Sequence, residues 1–476
     1  MNQVAKCSLD LSSEARSSAV EREEQLCNRW YLLRQRYLPI LFEDSIWCYN
    51  RYNKPQEPSQ GWKLHISATI LEACDLFERI APYLHSQDVQ FKAPKSLNEL
   101  SKVNCGLQYG YHQVGKFITV YPETERQAVR LAKKLHELTH EFTPINVPFD
   151  EQYKAGSSVF YRYGGFSQIE IANHNGEKFL AIENPKGEFV PDNRLQAVPE
   201  WLKNPFPQNG KLDEKNFKGT LLETTYRIFQ AITQRGKGGT YLAIDLSQNK
   251  PRFCIVKEGR SNGEIGWDGQ DGYFLVQNEF KVLSILNKKY NAVPKVFESF
   301  EIQGNYYFTM EYVDGKSLKE IMSFRRRRFS IKKILQFAIE IAEIIDNIHQ
   351  AGWIWNDCKP ANLIVSDDNK LRPIDFESTY QIGSNDPFDW KSEGFSKSYY
   401  SSEKSADLFA LGAVIYFMLT GKLFDFEKSV SILHLRRNVP TQLLKITEKL
   451  LADEITEIAE CQKEFEEILN QILIIT

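Results

Sequence analysis

No two of the eight cysteines are spaced C-x-x-C, and they fall singly along the chain. That pattern argues against a zinc site and fits reduced thiols rather than a disulfide framework. No run of about 18 apolar residues occurs, so no membrane-spanning helix is expected. The N-terminal stretch MNQVAKCSLDLSSEARSSAVEREE lacks the apolar segment of a secretory signal, and a cytoplasmic location follows as the expectation. An excess of either charge is missing too. The 59 Lys and Arg meet 62 Asp and Glu for a formal net charge of −3, which gives no basis for bulk attraction to nucleic acid or membrane. No period of about 20–50 residues is visible, which argues against a repeat architecture. What is present, 476 residues with 42% hydrophobic and 25% charged, suffices for two or three domains, each with its own core.

Residues 1–20 are polar and read as loose. Leu26, Trp30, Leu33 and Tyr37 then recur at helical spacing over about 19–36, and 50–61 reads as a loop. WKLHI alternates, with Trp62, Leu64 and Ile66 on one side of a strand and Lys63 and His65 on the other. A helix is predicted from about Thr69. FKAPKSL holds a short strand and a turn, and Ser96 with Glu99 forms a capping-box start. KFITVYP is a strand stopped by Pro122, a helix spans about 123–141, and VFYRY and KFLAIEN are further strands. The first domain is therefore α+β. The proline-rich stretch from Asn184 to Gln208 reads as the connection to the rest. We draw the boundaries at 1–200, a linker at 201–225, and 226–476.

The second half holds an ordered set of chemical motifs. Gly236, Gly238 and Gly239 sit in a turn between two strands, where small residues let backbone N–H groups approach phosphates. FCIVKEG resembles the V-A-I-K strand of protein kinases, with Lys257 reaching the α/β-phosphates, and Glu279 on the following helix is its ion-pair partner. FTMEYVDG, from about Glu311, looks like the hinge that meets the nucleotide. WNDCKPANLIV resembles the catalytic loop H-R-D-L-K-P-x-N. Asp357 would orient the substrate hydroxyl and accept its proton, Lys359 would neutralise the moving phosphoryl group, and Asn362 would hold magnesium. Asp375 follows in an Asp-Phe-Glu segment, a D-F-G variant, and would chelate Mg2+ across the phosphates of ATP or another NTP. Asp407 resembles the helix residue that braces the catalytic loop. The expected fold is that of a two-lobed protein kinase, with an N-lobe at 226–312 and a C-lobe at 313–476. Trp355-Asn356 replaces His-Arg, the Gly-rich turn is incomplete and no A-P-E motif follows, so a pseudokinase is the competing reading. Loss of the arginine before Asp357 suggests activity that does not depend on phosphorylation of the activation segment.

Six ordered segments of the first half, GWKLHISAT, FKAPKSL, GKFITVYP, YRYGGF, NPKGEFVPDNR and VPEWLKNPF, resemble the N-terminal region of class III lanthipeptide synthetases. The turn QRGKGG and the Asp-Phe-Glu variant resemble the same enzymes, over about 25–420. The resemblance implies a phosphoserine/phosphothreonine lyase domain related to bacterial effector lyases, preceding a kinase that phosphorylates a precursor peptide bearing a leader. The lyase would then eliminate phosphate to give dehydroalanine or dehydrobutyrine. On that resemblance Lys92 is the base and His65 the acid. Lys63 stabilises the enolate-like charge, Lys116 and Arg162 clamp phosphate, and Lys95 competes with Lys92. A lysine base needs a depressed pKa, which burial and neighbouring cations supply. Taken alone, these residues read as surface charges, flanking charges and a structural ion-pair partner.

Arg325–Arg328 could dock an acidic leader or phosphate, or form a solvated loop. The tail reads as the last kinase helices, and the synthetases' cyclase domain is not expected here. A separate cyclase, a linear dehydrated product and a truncated chain all fit. Two other functions fit as well: a Ser/Thr kinase whose first domain only binds substrate, and a pseudokinase scaffold.

Overall fold

The computed structural model describes residues 2–43, 45–172, 175–207, 217–324, 329–384, 392–397, 400–425 and 432–475. The four arginines at 325–328 lie outside the described residues. No helix among the described residues is long and apolar enough to cross a membrane.

The first domain is built on a seven-stranded sheet, antiparallel at every pairing. Its order is Ile40–Leu41, Trp47–Tyr49, Gln90–Pro94, Ile118–Tyr121, Gln60–Ile66, Val159–Gly165, Glu151–Gln152. Trp62, Leu64 and Ile66, two residues apart, share one face and are almost fully buried. They join a core with Phe77, Ile80 and Leu84 of helix Ala73–Ser86 and with Leu131 and Leu135 of helix Glu125–Thr139. Trp30 of the first helix lies 5.0 Å from Phe77 and 5.3 Å from Phe117, ring centre to ring centre. Each such large side chain contributes about 1.5–3 kcal/mol when taken out of water. The helices thus cover one face and leave the opposite face to polar residues.

Three expectations change. The first helix runs Asn2–Tyr37, so residues 2–20 are helical rather than loose. The helix expected from Thr69 begins at Ala73, because the Thr69 hydroxyl takes the Glu72 N–H and forms a turn first. The segment 184–207 is part of the first domain, and Gln208 lies outside the described residues. Phe189–Pro191 pairs with Lys178–Glu183, and Phe206 stacks on Tyr161 at 3.9 Å within the core. Prolines here punctuate short strands and turns, which sequence pattern alone does not separate from a linker.

The second domain opens with a five-stranded antiparallel sheet, ordered Tyr226–Arg235, Gly238–Asp245, Arg252–Gly259, Asn305–Glu311, Val296–Ile302. Helix Gly272–Leu286 packs on it, its first turn capped by the Asp271 carboxylate on the Phe274 N–H. A helical lobe follows. Helix Ser405–Thr420 is buried along nearly its whole length among helices Ile331–Gln350, Thr441–Ala452 and Ile458–Ile475. An all-round apolar helix is what the centre of a helical lobe requires.

Candidate functional site

Register builds the polar face of the first domain. Lys63 stands opposite Arg162, His65 opposite Thr119, and Thr119 opposite Lys92. Directly paired residues project to the same face, so these five share the surface that the helices leave uncovered. His65, Lys116 and Arg162 are buried there, while Lys63 and Lys92 remain partly exposed. Nδ1 of His65 bonds a carboxylate oxygen of Asp150, and the Lys116 ammonium lies 3.4 Å from the other oxygen. Arg162 donates to Asp192 Oδ1 at 2.6 Å and to the Asn193 carbonyl at 3.3 Å, while its buried Nε has no hydrogen-bond partner. The Lys92 ammonium stands 4.5 Å from the centre of the Trp47 ring. Arg194 reaches Nε2 of His112.

Burial and neighbouring charges shift the lysines, the histidine and Asp150 of this enclosure. Burial, then Arg162, lowers Lys63 to about 7. Burial, then Lys116 and Arg194, lowers Lys92 to about 8. Burial lowers His65 to about 3 although Asp150 pulls it upward, so the imidazole is neutral. Asp150, which burial works to raise, is held well below the carboxylate range by Lys116 and His65. Five cationic residues, Lys63, Lys92, Lys116, Arg162 and Arg194, thus face two carboxylates, Asp150 and Asp192. Such an enclosure suits an oxyanion.

Because a lysine is charged below its pKa, the site gains positive charge as pH falls through about 8 and about 7. Sulfate stays dianionic over this range and is expected to raise the melting temperature more at pH about 6.5 than at about 8.5. The comparison is with the Lys63→Ala/Lys92→Ala variant, which cancels general salt effects. Equal shifts in the two proteins at both pH values would show that no anion binds here.

In the second domain, Lys257 projects from strand Arg252–Gly259. Its ammonium lies 2.9 Å from Glu279, 3.3 Å from Asp375 and 3.2 Å from Glu377. Burial disfavours its charge, but Asp375, Glu279 and Glu377 outweigh burial and hold its pKa well above the ordinary value. Asp357 receives hydrogen bonds from Lys359 at 2.7 and 2.8 Å and from the Asn362 amide at 2.8 Å. The Ser392 hydroxyl donates to Asp357 Oδ1 at 2.9 Å and accepts from Lys359 at 3.2 Å. Burial raises the Asp357 carboxyl above its usual range. Asp407 braces the loop by accepting the N–H groups of Trp355 at 2.9 Å and Asn356 at 2.8 Å, and bonds Nε2 of His349 at 2.8 Å. Asn356 and Asp375 both have left-handed backbone, φ +64° and +68°, conformations that cluster at functional sites. A cleft of about 370 Å³ between the lobes is lined by Gly238, Gly239, Lys257, Glu311, Asp375 and Glu377, among others.

Comparison with known families agrees with this geometry. The protein kinase domain family matches residues 236–476. The chain belongs to the protein kinase family. The family described as "RamC, N-terminal domain" matches residues 41–218. A "Probable SapB synthase" of Streptomyces coelicolor is 26% identical over 354 residues, 71% of this chain and 37% of that protein. Serine/threonine-protein kinase F of Synechocystis is 25% identical over 225 residues, 42% of this chain and 45% of that kinase. The chain therefore spans less than half the length of these curated relatives. The likeness to class III lanthipeptide synthetases extends across both domains.

A kinase domain implies use of ATP and, usually, Mg2+. The donor set fits magnesium. One Asp375 oxygen takes Lys257, the Asn362 amide nitrogen is occupied by Asp357, and the backbone bond from Ile374 N–H to the Asn362 carbonyl holds the two segments side by side. That leaves an Asp375 carboxylate oxygen and the Asn362 amide oxygen, the hard oxygen ligands Mg2+ prefers.

The residues named from sequence do not all meet the cleft. Gly238 and Gly239 line it, but Gly236 turns to the first domain. Its N–H bonds the Cys105 carbonyl at 3.0 Å, and a Cβ there would fall 1.7 Å from the Asn104 carbonyl oxygen. Only glycine allows that approach. Glu311 lines the cleft, but its carboxylate is held by Arg372 at 2.6 Å. Lys95 is exposed beyond the end of strand Gln90–Pro94, whereas Lys92 lies within the cationic face. Sequence reasoning missed Asp150, Arg194, Asp192, Ser392 and Lys237. Lys237 stands inside the Gly-rich turn, and Asp192 and Arg194 inside NPKGEFVPDNR, but spacing there points to no role for them, and Asp150 and Ser392 stand in no motif; only the fold brings each to its site.

Proposed function

We propose that the chain is a peptide dehydratase of the class III lanthipeptide type, with elimination in about 1–200 and phosphorylation in 226–476. One juxtaposition carries this reading: a phosphoryl-transfer site around Asp357 shares the chain with a cation-rich enclosure containing lysines lowered to about 7 and about 8. In the kinase step the Ser or Thr hydroxyl of a precursor peptide attacks the γ-phosphorus of ATP. Asp357 takes the hydroxyl proton, Lys359 offsets charge on the moving group, and ADP leaves. Asn362 and Asp375 would hold the Mg2+ that neutralises the phosphates.

In the lyase step Arg162 and Lys116 hold the phosphate ester. The neutral fraction of Lys92, which grows as pH rises toward about 8, removes the Cα proton, and the protonated fraction of Lys63 offsets the charge that develops on the adjacent carbonyl. The Cβ–O bond breaks, the phosphate leaves with its electron pair, and a Cα–Cβ double bond forms. His65, fixed at Nδ1 by Asp150, presents Nε2 to the leaving oxygen, and the phosphate dianion favours the imidazolium that this requires. Asp150 acts through His65 and is a positioning residue.

Two substrates separate the halves. A synthetic phosphoserine peptide given without ATP is expected to lose phosphate and become dehydroalanine. An unmodified Ser-rich precursor given ATP and Mg2+ is expected to gain phosphate and then show net loss of water by mass spectrometry. A phosphopeptide that stays intact in both reactions would leave a kinase with a non-catalytic first domain.

A further inference from the structure

The Asp-Phe-Glu segment places a carboxylate where protein kinases carry glycine. The Glu377 side chain is largely shielded, 13% exposed. One of its oxygens bonds the ammonium of Lys237, and the other lies 3.2 Å from that of Lys257. Lys237 sits between Gly236 and Gly238 in the turn that joins the first two strands of the kinase sheet. It is 8% exposed and lines the same cleft as Lys257, Asp375 and Glu377. Both ends of this turn are fixed. The Gly236 N–H is held by the first domain, and the Lys237 carbonyl accepts the Arg260 N–H at 2.7 Å. The backbone of Lys237 is thus fixed, and its long side chain carries the ion pair with Glu377 into the cleft.

Carboxylate oxygens of Glu279, Asp375 and Glu377 converge within 4.8 Å of one another, close to the two lysines. The polyphosphate tail of a nucleotide must enter at this end of the cleft, because Lys257 and Asp375 are here. It brings several negative charges to ammonium groups that Glu377 already occupies. In a site shielded from water, like charges at this range repel strongly, so phosphate and Glu377 compete for the same cations.

We propose that Lys237 is a ligand of the terminal phosphates of the nucleotide, and that Glu377 is a built-in carboxylate which holds Lys237 until a triphosphate displaces it. The assignment rests on the kinase reading of this cleft. It makes the Gly-rich turn sensitive to tail length. A triphosphate reaches Lys237 and outcompetes one carboxylate, whereas adenosine cannot. It also explains the two departures from the kinase pattern together: a carboxylate in place of glycine in the activation segment, and a lysine in the turn that compensates it.

The test is calorimetric binding of ATP and of adenosine to the full chain, without peptide, in Mg2+ and again in EDTA. Lys237→Ala is expected to weaken ATP about ten- to a hundredfold, the range for loss of a charge-assisted hydrogen bond, and to leave adenosine unchanged. Glu377→Gly is expected to tighten ATP, because the competitor is gone. The double variant Lys237→Ala/Glu377→Gly should fall between Lys237→Ala and wild type. It also removes the buried carboxylate that Lys237→Ala alone leaves without this partner, so a folding defect of the single variant does not block the test. Unchanged ATP affinity in Lys237→Ala would overturn the assignment. So would Glu377→Gly weakening ATP, and if it did so only in Mg2+, Glu377 would be a metal ligand instead. A wild-type chain that binds neither ATP nor adenosine would overturn the kinase reading itself, which is a separate failure.

Discussion

Asp357→Asn is expected to lower phosphoryl transfer to peptide by about two to four orders of magnitude, the usual worth of a positioned general base. The amide keeps the shape of the side chain and one acceptor for Lys359 and Asn362, so the loop braced by Asp407 should keep its form. What is lost is the carboxylate that, on the proposed mechanism, accepts the hydroxyl proton. ATP affinity should therefore change little, and phosphopeptide formation in single-turnover mass spectrometry should nearly vanish. Asp375→Asn is expected to abolish transfer as well, but through the phosphates. It removes a charge shared with Lys257 and with the magnesium site, so nucleotide affinity in Mg2+ should fall with the rate. Wild-type-like transfer by Asp357→Asn would remove the catalytic-loop assignment.

Lys92→Ala and His65→Ala should each slow elimination by about two to four orders of magnitude while leaving the kinase intact, so phosphorylated peptide accumulates. Neither residue contacts the kinase cleft, and the synthetic phosphopeptide reads elimination alone. Asp150→Asn should cost less, about ten- to a hundredfold, because it removes the charge of a hydrogen-bond partner rather than a reacting group. It should also lower kcat more than it raises KM, since Asp150 orients His65 and does not bind the peptide. Lys95→Ala should behave as wild type, its side chain being exposed beyond the sheet. Normal dehydration by both Lys92→Ala and His65→Ala would place the lyase chemistry elsewhere, and a stronger effect from Lys95→Ala would make that residue the base.

Much of the kinase half was legible because its chemistry sits in short contiguous segments. Asp357, Lys359 and Asn362 fall within six residues, and Asp375 follows eighteen residues after Asp357 on an adjoining strand end. Local spacing there nearly fixes local geometry, and three of the residues that order singled out, Lys257, Glu279 and Asp375, meet at the Lys257 ammonium. Trp355 in place of histidine looked like a loss. In the fold its indole N–H donates to the Asp375 carbonyl at 3.0 Å and its ring stacks on Phe376, tying the two motifs together. A substitution table cannot foresee that compensation, because it depends on what lies across the loop.

In the first half the alternation of WKLHI put Lys63 and His65 on one face, and the sequence by itself went no further than that. Whether the face met water or an enclosure depended on antiparallel register, which set Arg162 opposite Lys63 and Thr119 between His65 and Lys92. It depended also on where the segments around Asp150 and Asp192–Arg194 came to rest. Burial then did what composition could not: the same lysines that would be ordinary surface charges on an isolated strand fall to about 7 and about 8 once walls and other cations surround them. The sequence determined which reactive residue types occur, in what order and at what spacing, because those are local properties. The tertiary structure alone decided which of them share a dielectric enclosure and with what charges, because electrostatic coupling follows distance in space rather than separation along the chain.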